Sequence, residues 1–81
     1  MSQSAGVKNV SGKRIAEARG SSKPPLTQEA LSAKLALLGV SIDRAAVAKI
    51  ENNLRQVLDY ELKAFAKALE VRVDWLLGDE K

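Results

Sequence analysis

Arg44 and Lys49 stand among alanines in a stretch of helical periodicity, and that pairing of types is the most chemically pointed in the chain. Val47, Ile50 and Leu54 recur as one stripe of a 3.6-residue period. Arg44, Ala45, Ala48, Lys49 and Asn52 then fall on the opposite side. Guanidinium and ammonium groups can donate to guanine O6 and N7, and an alanine methyl can meet a thymine methyl. A small, cationic outer face on a short helix therefore suits a DNA major groove, with Arg44, Ala45, Ala48 and Lys49 meeting base edges. Three alanines (Ala45, Ala46, Ala48) leave few groups with sequence information. Specificity is expected to be modest, or to come partly from DNA shape. Gln28 opens the preceding helix, where its amide and the free backbone N–H groups would point at a phosphate. Asn52 and Arg55, just past the cationic helix, are the phosphate candidates on the other side.

Other chemistries find little material. The chain has no histidine and no cysteine, which removes the usual general base, the usual zinc ligand and any disulfide. Carboxylates are scattered on helix surfaces rather than paired, and no glycine-rich loop precedes a Lys-Ser/Thr pair. No enzymatic activity, cofactor or metal is expected.

The elements that position these residues read as helices throughout. Ser11 is the first N-cap, with Val10 and Ile15 as a hydrophobic staple and Ile15 and Ala18 facing inward; this helix runs from Gly12 to Arg19 or slightly beyond. Two prolines in the loop at residues 20–25 favour extended backbone. Thr27 caps a second helix, with Leu26 and Leu31 as its staple and Leu31, Leu35 and Leu38 on its inner face. Gly39 ends it as a C′ residue. Asp43 caps the third helix, and Asn53 stops it in a left-handed conformation. Asp59 caps a fourth, with Leu62, Phe65, Ala66 and Leu69 as its buried stripe. Val71, Val73, Leu76 and Leu77 lead into a short fifth, stopped by Gly78. Trp75 either completes the core or sits on a dimer contact. The expected fold is an all-α, five-helix domain, with a flexible arm at residues 1–10, the domain at 11–78 and a tail at 79–81. At 81 residues its core is marginal.

The segments GKRIAEAR, LTQEAL, AKIENN and LKAFAKALEV resemble the helix-turn-helix domain of the lambda-repressor-like family, also called the xenobiotic-response-element family. The resemblance spans residues 11–78, and its most specific parts are the Thr27-Gln28 pair and the Ile50-Glu51-Asn52 run. It implies a DNA-binding transcriptional regulator, a phosphate contact at Gln28 and an ion pair between Arg19 and Glu51 joining the first helix to the third. Two departures stand out. About five extra residues separate Gln28 from Glu51, assigned to a longer second helix (Ala36, Leu37, Leu38) and a longer turn that Val40 and Ile42 anchor. Glu70 also stands where relatives have glycine, so the fourth helix is expected to end less sharply.

Charge agrees with this expectation. Residues 1–55 hold nine Lys and Arg against four Asp and Glu, residues 56–81 four against six, and the whole chain carries +3. The positive half contains the groove-facing helix. No apolar run is long enough to span a bilayer and no signal-peptide core opens the chain, so a cytoplasmic protein is expected. The expected partner is double-stranded DNA, bound as a homodimer through the segment around Trp75–Leu77. The alternative reading is a helix-turn-helix protein that mainly holds a protein partner, for instance a toxin or a polymerase subunit.

Overall fold

The computed structural model describes residues 7–78 as five helices. They are α1 (Gly12–Ser21), α2 (Gln28–Leu37), α3 (Arg44–Glu51), α4 (Asp59–Leu69) and α5 (Val73–Leu76). The fold is all-α, as the periodicities predict. Residues 1–6 and 79–81, the outer part of the expected arm and the expected tail, lie outside the described residues.

Phe65 of α4 is the largest fully buried side chain, and Ile15, Leu31, Leu35, Val47, Ile50 and Leu76 are buried with it. Each of the first four helices, and the short α5, therefore sends an apolar side chain to one centre. Burying a side chain of this kind contributes roughly 1.5–3 kcal/mol. With aromatics so scarce, deleting Phe65 would leave the largest hole.

Caps fix where the two central helices begin and end. Thr27 Oγ1 accepts from Ala30 N at 2.9 Å, and Asp43 Oδ1 accepts from Ala46 N at 2.8 Å. Gly39 closes α2 at φ 85°, and its N–H reaches Ala36 O at 2.9 Å. Asn53 closes α3 at φ 63°, after which Leu54 N returns to Lys49 O at 2.7 Å. Glycine has no Cβ to clash there, and Asn tolerates that region better than most residues.

Several sequence expectations give way. Leu54 is 65 % exposed rather than on the inward stripe of α3. The left-handed Asn53 turns the chain before Leu54 can continue the helical phase. Leu38 is likewise exposed, because α2 ends at Leu37; Val40 folds back in its place, its N–H on Leu35 O at 2.9 Å. Val40 and Ile42 are both buried, as expected of turn anchors, and Ser32 Oγ donates to Ile42 O at 2.6 Å.

At α1, Val10 is exposed and forms no staple; Ser11 is the N-cap residue, as expected, but its buried side chain makes no capping bond. Asn9 does that work: its Oδ1 accepts from Gly12 N at 2.7 Å. Asp59 is the first residue of α4 rather than its cap, which falls on Leu58. Glu70 holds φ 59° and ends α4 sharply, with Val71 N on Ala66 O at 3.0 Å. A non-glycine residue thus occupies a strained left-handed cap, where the sequence suggests a looser end.

Candidate nucleic-acid interface

α3 is held on its inner side and at its C-terminal end by α1, α2 and the segment at Lys8 and Asn9. At its far end the backbones of α1 and α3 nearly touch: a Cβ added to Gly12 would overlap the Ile50 carbonyl. Gly12 is therefore required for close approach, not merely tolerated beside a cap. Asn9 Nδ2 donates to Ile50 O at 3.0 Å and to Arg55 O at 2.8 Å, satisfying carbonyls at and beyond the helix end. Asn53 Oδ1 in turn accepts from Lys8 N at 2.7 Å and Asn9 N at 3.1 Å. The inner part of the expected flexible arm is thus fastened to the exit of α3.

Glu51 is the central buried acceptor. Arg19 Nε donates to its Oε2 at 2.8 Å and Arg19 Nη2 to its Oε1 at 2.9 Å. The Glu51 side chain is only 6 % exposed. Gln28 Nε2 adds a third bond to Oε1 at 2.9 Å, and Arg19 Nη1 reaches Leu26 O at 3.0 Å. The Arg19–Glu51 pair implied by the resemblance is formed, and Gln28 widens it into a tie between α1, α2 and α3. One hydrogen of the Gln28 amide is spent on Glu51. The NH2 group carries a second, and the N–H groups of Gln28 and Glu29 lie in the first turn of α2 without an acceptor among the described residues.

Arg55 has a partner that sequence reasoning missed. Its Nη1 and Nη2 bind Glu61 Oε1 and Oε2 at 2.9 and 3.0 Å, a two-bond fork onto a side chain only 4 % exposed. The Arg55 guanidinium holds the Glu61 carboxyl below its usual range. Burial opposes that shift, and the Leu58 N–H, donating to Oε1 at 3.0 Å, reinforces it. Arg55 is accordingly an anchor of the α3–α4 loop first, with its Nε and outer edge alone left for a phosphate. Asn52 is exposed, and its Nδ2 bends back to Ala48 O at 2.8 Å.

The outer side of α3 contrasts with all of this. Arg44, Ala45 and Lys49 are exposed, Ala48 is half-buried, and Val47 and Ile50 are fully buried beneath them. The helical phase read from the sequence therefore holds through Ile50. Among the described residues the Arg44 and Lys49 side chains have neither an ion pair nor a hydrogen bond. Two unpartnered cations with small side chains between them make a convex ridge able to donate to an anionic or acceptor-rich surface. No described helix is long and apolar enough to cross a membrane.

At the other end of the molecule, Trp75 is half-buried against the core. The Arg14 guanidinium carbon lies 4.6 Å from its ring centroid, and Arg14 Nη1 donates to Trp75 O at 3.0 Å. Leu76 is fully buried, so of the expected Trp75–Leu77 contact only Leu77 presents an exposed apolar side chain. Three residues central to this architecture, Asn9, Gly12 and Glu61, had signals too general to single out: an asparagine three residues before a helical N–H, a glycine near a cap, and an acid in a first turn. No family model matches this chain, and no curated protein or solved structure does either.

Proposed function

We propose that this chain is a lambda-repressor-like helix-turn-helix domain acting as a sequence-specific transcriptional regulator in the cytoplasm. In this reading α3 enters the major groove of double-stranded DNA, with Arg44 and Lys49 donating to base edges and Ala45 and Ala48 allowing close approach. Gln28, with the first-turn N–H groups of α2, contacts phosphate on one side. Asn52 and the free edge of Arg55 do so on the other. The observation that carries the reading is the unpartnered state of Arg44 and Lys49 on a helix whose neighbouring arginines are both committed to buried carboxylates.

A single module buries too little surface for tight specific binding. Two copies would place their α3 helices about one helical turn, roughly 34 Å, apart on a pseudo-palindromic site. Leu77 and its apolar surroundings are the proposed contact.

The test begins with selection of bound duplexes from random DNA. On the selected site, Arg44→Ala and Lys49→Ala each weaken binding by about 1–3 kcal/mol, with a much smaller loss on a scrambled duplex. Gln28→Ala weakens both duplexes alike and leaves the salt dependence nearly unchanged, since it removes no charge. Equal losses on both duplexes at Arg44 and Lys49 would overturn the base-reading role of α3.

A further inference from the structure

Leu37 and Leu38, at the end of α2, remain 87 % and 41 % exposed. Beside them lies a groove of about 310 Å³ between the α2–α3 turn and α4. Leu38, Val40 and Ala64 supply apolar surface, Tyr60 closes one wall, and Lys63 and Lys67 contribute the charges. Tyr60 is itself 58 % exposed. Lys63 and Lys67 are four residues apart and so share one face of α4. Among the described residues neither side chain has an ion-pair or hydrogen-bond partner, and no carboxylate lines the groove.

We propose that this groove docks an acidic amphipathic segment of a partner protein, whose bulky apolar side chains cover Leu38, Val40 and Ala64 while its carboxylates meet Lys63 and Lys67. Removing the exposed leucine surface from water drives the contact, and the lysines set its polarity and orientation. An amphipathic helix laid in an apolar groove is the recognition mode that this shape serves. Two competing occupants fit less well. A DNA backbone would use the lysines but leave the leucines uncovered. A second copy whose two-fold axis runs through the groove would bring Lys63 and Lys67 close to the same two lysines, because residues at such an axis meet their own copies. Like charges facing each other there are disfavoured.

The experiment titrates isotopically labelled protein with a short synthetic helix carrying a Leu/Phe stripe flanked by glutamates, and with its twin in which every glutamate is lysine. The acidic peptide binds at least about tenfold more tightly than the basic one, and amide shifts cluster at Leu38, Val40, Tyr60 and Ala64. Lys63→Glu/Lys67→Glu, at exposed positions, reverses the preference, and Leu38→Asp removes binding of both peptides. Arg44→Ala/Lys49→Ala leaves peptide binding unchanged, which keeps this test separate from that of DNA reading. Equal affinity for the two peptides overturns the proposal, as do shifts that map to α3. So does a loss of DNA affinity in the Lys63/Lys67 variant without loss of peptide affinity, which would make these lysines phosphate contacts. Concentration-dependent self-association that moves the same four residues would assign the groove to a second copy and equally overturn it.

Discussion

The cations around α3 fall into two sets that differ in what faces them. Arg19 and Arg55 each offer a planar fork to a buried carboxylate, Glu51 and Glu61, at distances from 2.8 to 3.0 Å. Arg44 and Lys49, on the opposite side of the same helix, form no ion pair. Charge type alone does not distinguish the sets, since three of the four are arginines. The difference lies in the partner. Where a carboxylate has been removed from water, the cation is held in place and the helix with it. Where none is provided, the cation stays hydrated and available to another molecule. The inner set fixes the angle and depth of α3; the outer set can then use a surface whose position is already determined.

The largest expected effect falls on the inner set. Glu51→Ala leaves Arg19 and the Gln28 amide without their shared acceptor, and removing one partner of a buried pair costs about 3–5 kcal/mol. Urea denaturation of the variant measures it. Because the pair ties α1 and α2 to α3, loss of DNA affinity should accompany loss of stability rather than appear alone. A Glu51→Ala protein as stable as the parent would erase the distinction between the sets.

A second, smaller effect belongs to Glu61. Glu61→Gln keeps the shape but replaces a charge-assisted fork, at a cost of about 1–3 kcal/mol near neutrality. The sign of its pH dependence follows from the lowered folded-state pKa. The unfolded state binds the proton more readily, so the pair's contribution is full above the ordinary value of 4.5 and is lost as pH falls through the lower folded value. Thermal melts from pH 7 downward should show parent and variant converging in acid. Parallel curves would mean that Arg55 does not hold Glu61 ionised.

These inner contacts also mark where sequence reading reached its range. Val47 and Ile50 were legible because burial imposes a period, and Thr27, Asp43, Gly39 and Asn53 because caps act over one turn. Leu54 and Leu38 were misplaced because a period read past a helix end has no physical basis; the chain changes direction at Asn53 and at Leu38–Gly39. Arg19–Glu51 was legible only through resemblance, since 32 residues separate the partners. Asn9 on Ile50 spans 41 residues and Gly12 on Ile50 nearly as many, and no local pattern encodes such an approach. Arg55–Glu61 was closer in sequence, yet its six-residue separation crosses a loop and follows no helical spacing.

For the outer set the expected stability change is small. Arg44→Ala and Lys49→Ala should each alter unfolding free energy by no more than about 0.5 kcal/mol, because surface substitutions away from packed or paired groups rarely do more. Alanine also has the better helix propensity, which offsets part of any loss. Calorimetry on the two variants sharpens the comparison. If either destabilises the fold as Glu51→Ala does, that cation has a structural partner and the outer face is not free for DNA.

The smallest effect is expected where an ion pair has the geometry of the inner set and the surroundings of the outer one. Arg72 donates to Asp74 through Nε at 2.9 Å and Nη2 at 2.8 Å, distances that match Arg19 on Glu51. The Arg72 and Asp74 side chains are 76 % and 44 % exposed, whereas those of Arg19 and Glu51 are 21 % and 6 % exposed. If hydrogen-bond geometry made the inner pairs matter, Arg72→Ala would destabilise the protein as Glu51→Ala does. If burial does, water replaces the lost partner at once and the melting temperature stays where it was. The Arg72 bonds hold the Asp74 carboxyl below its ordinary range, so any contribution would fade as pH falls through the lowered folded value. Salt gives a second handle: added sodium chloride should weaken the exposed pair while leaving the buried Arg19–Glu51 contact nearly unaffected. A melting temperature that drops in Arg72→Ala at low salt and recovers nothing at high salt would count against burial as the cause. The division between inner and outer cations would then rest on geometry alone.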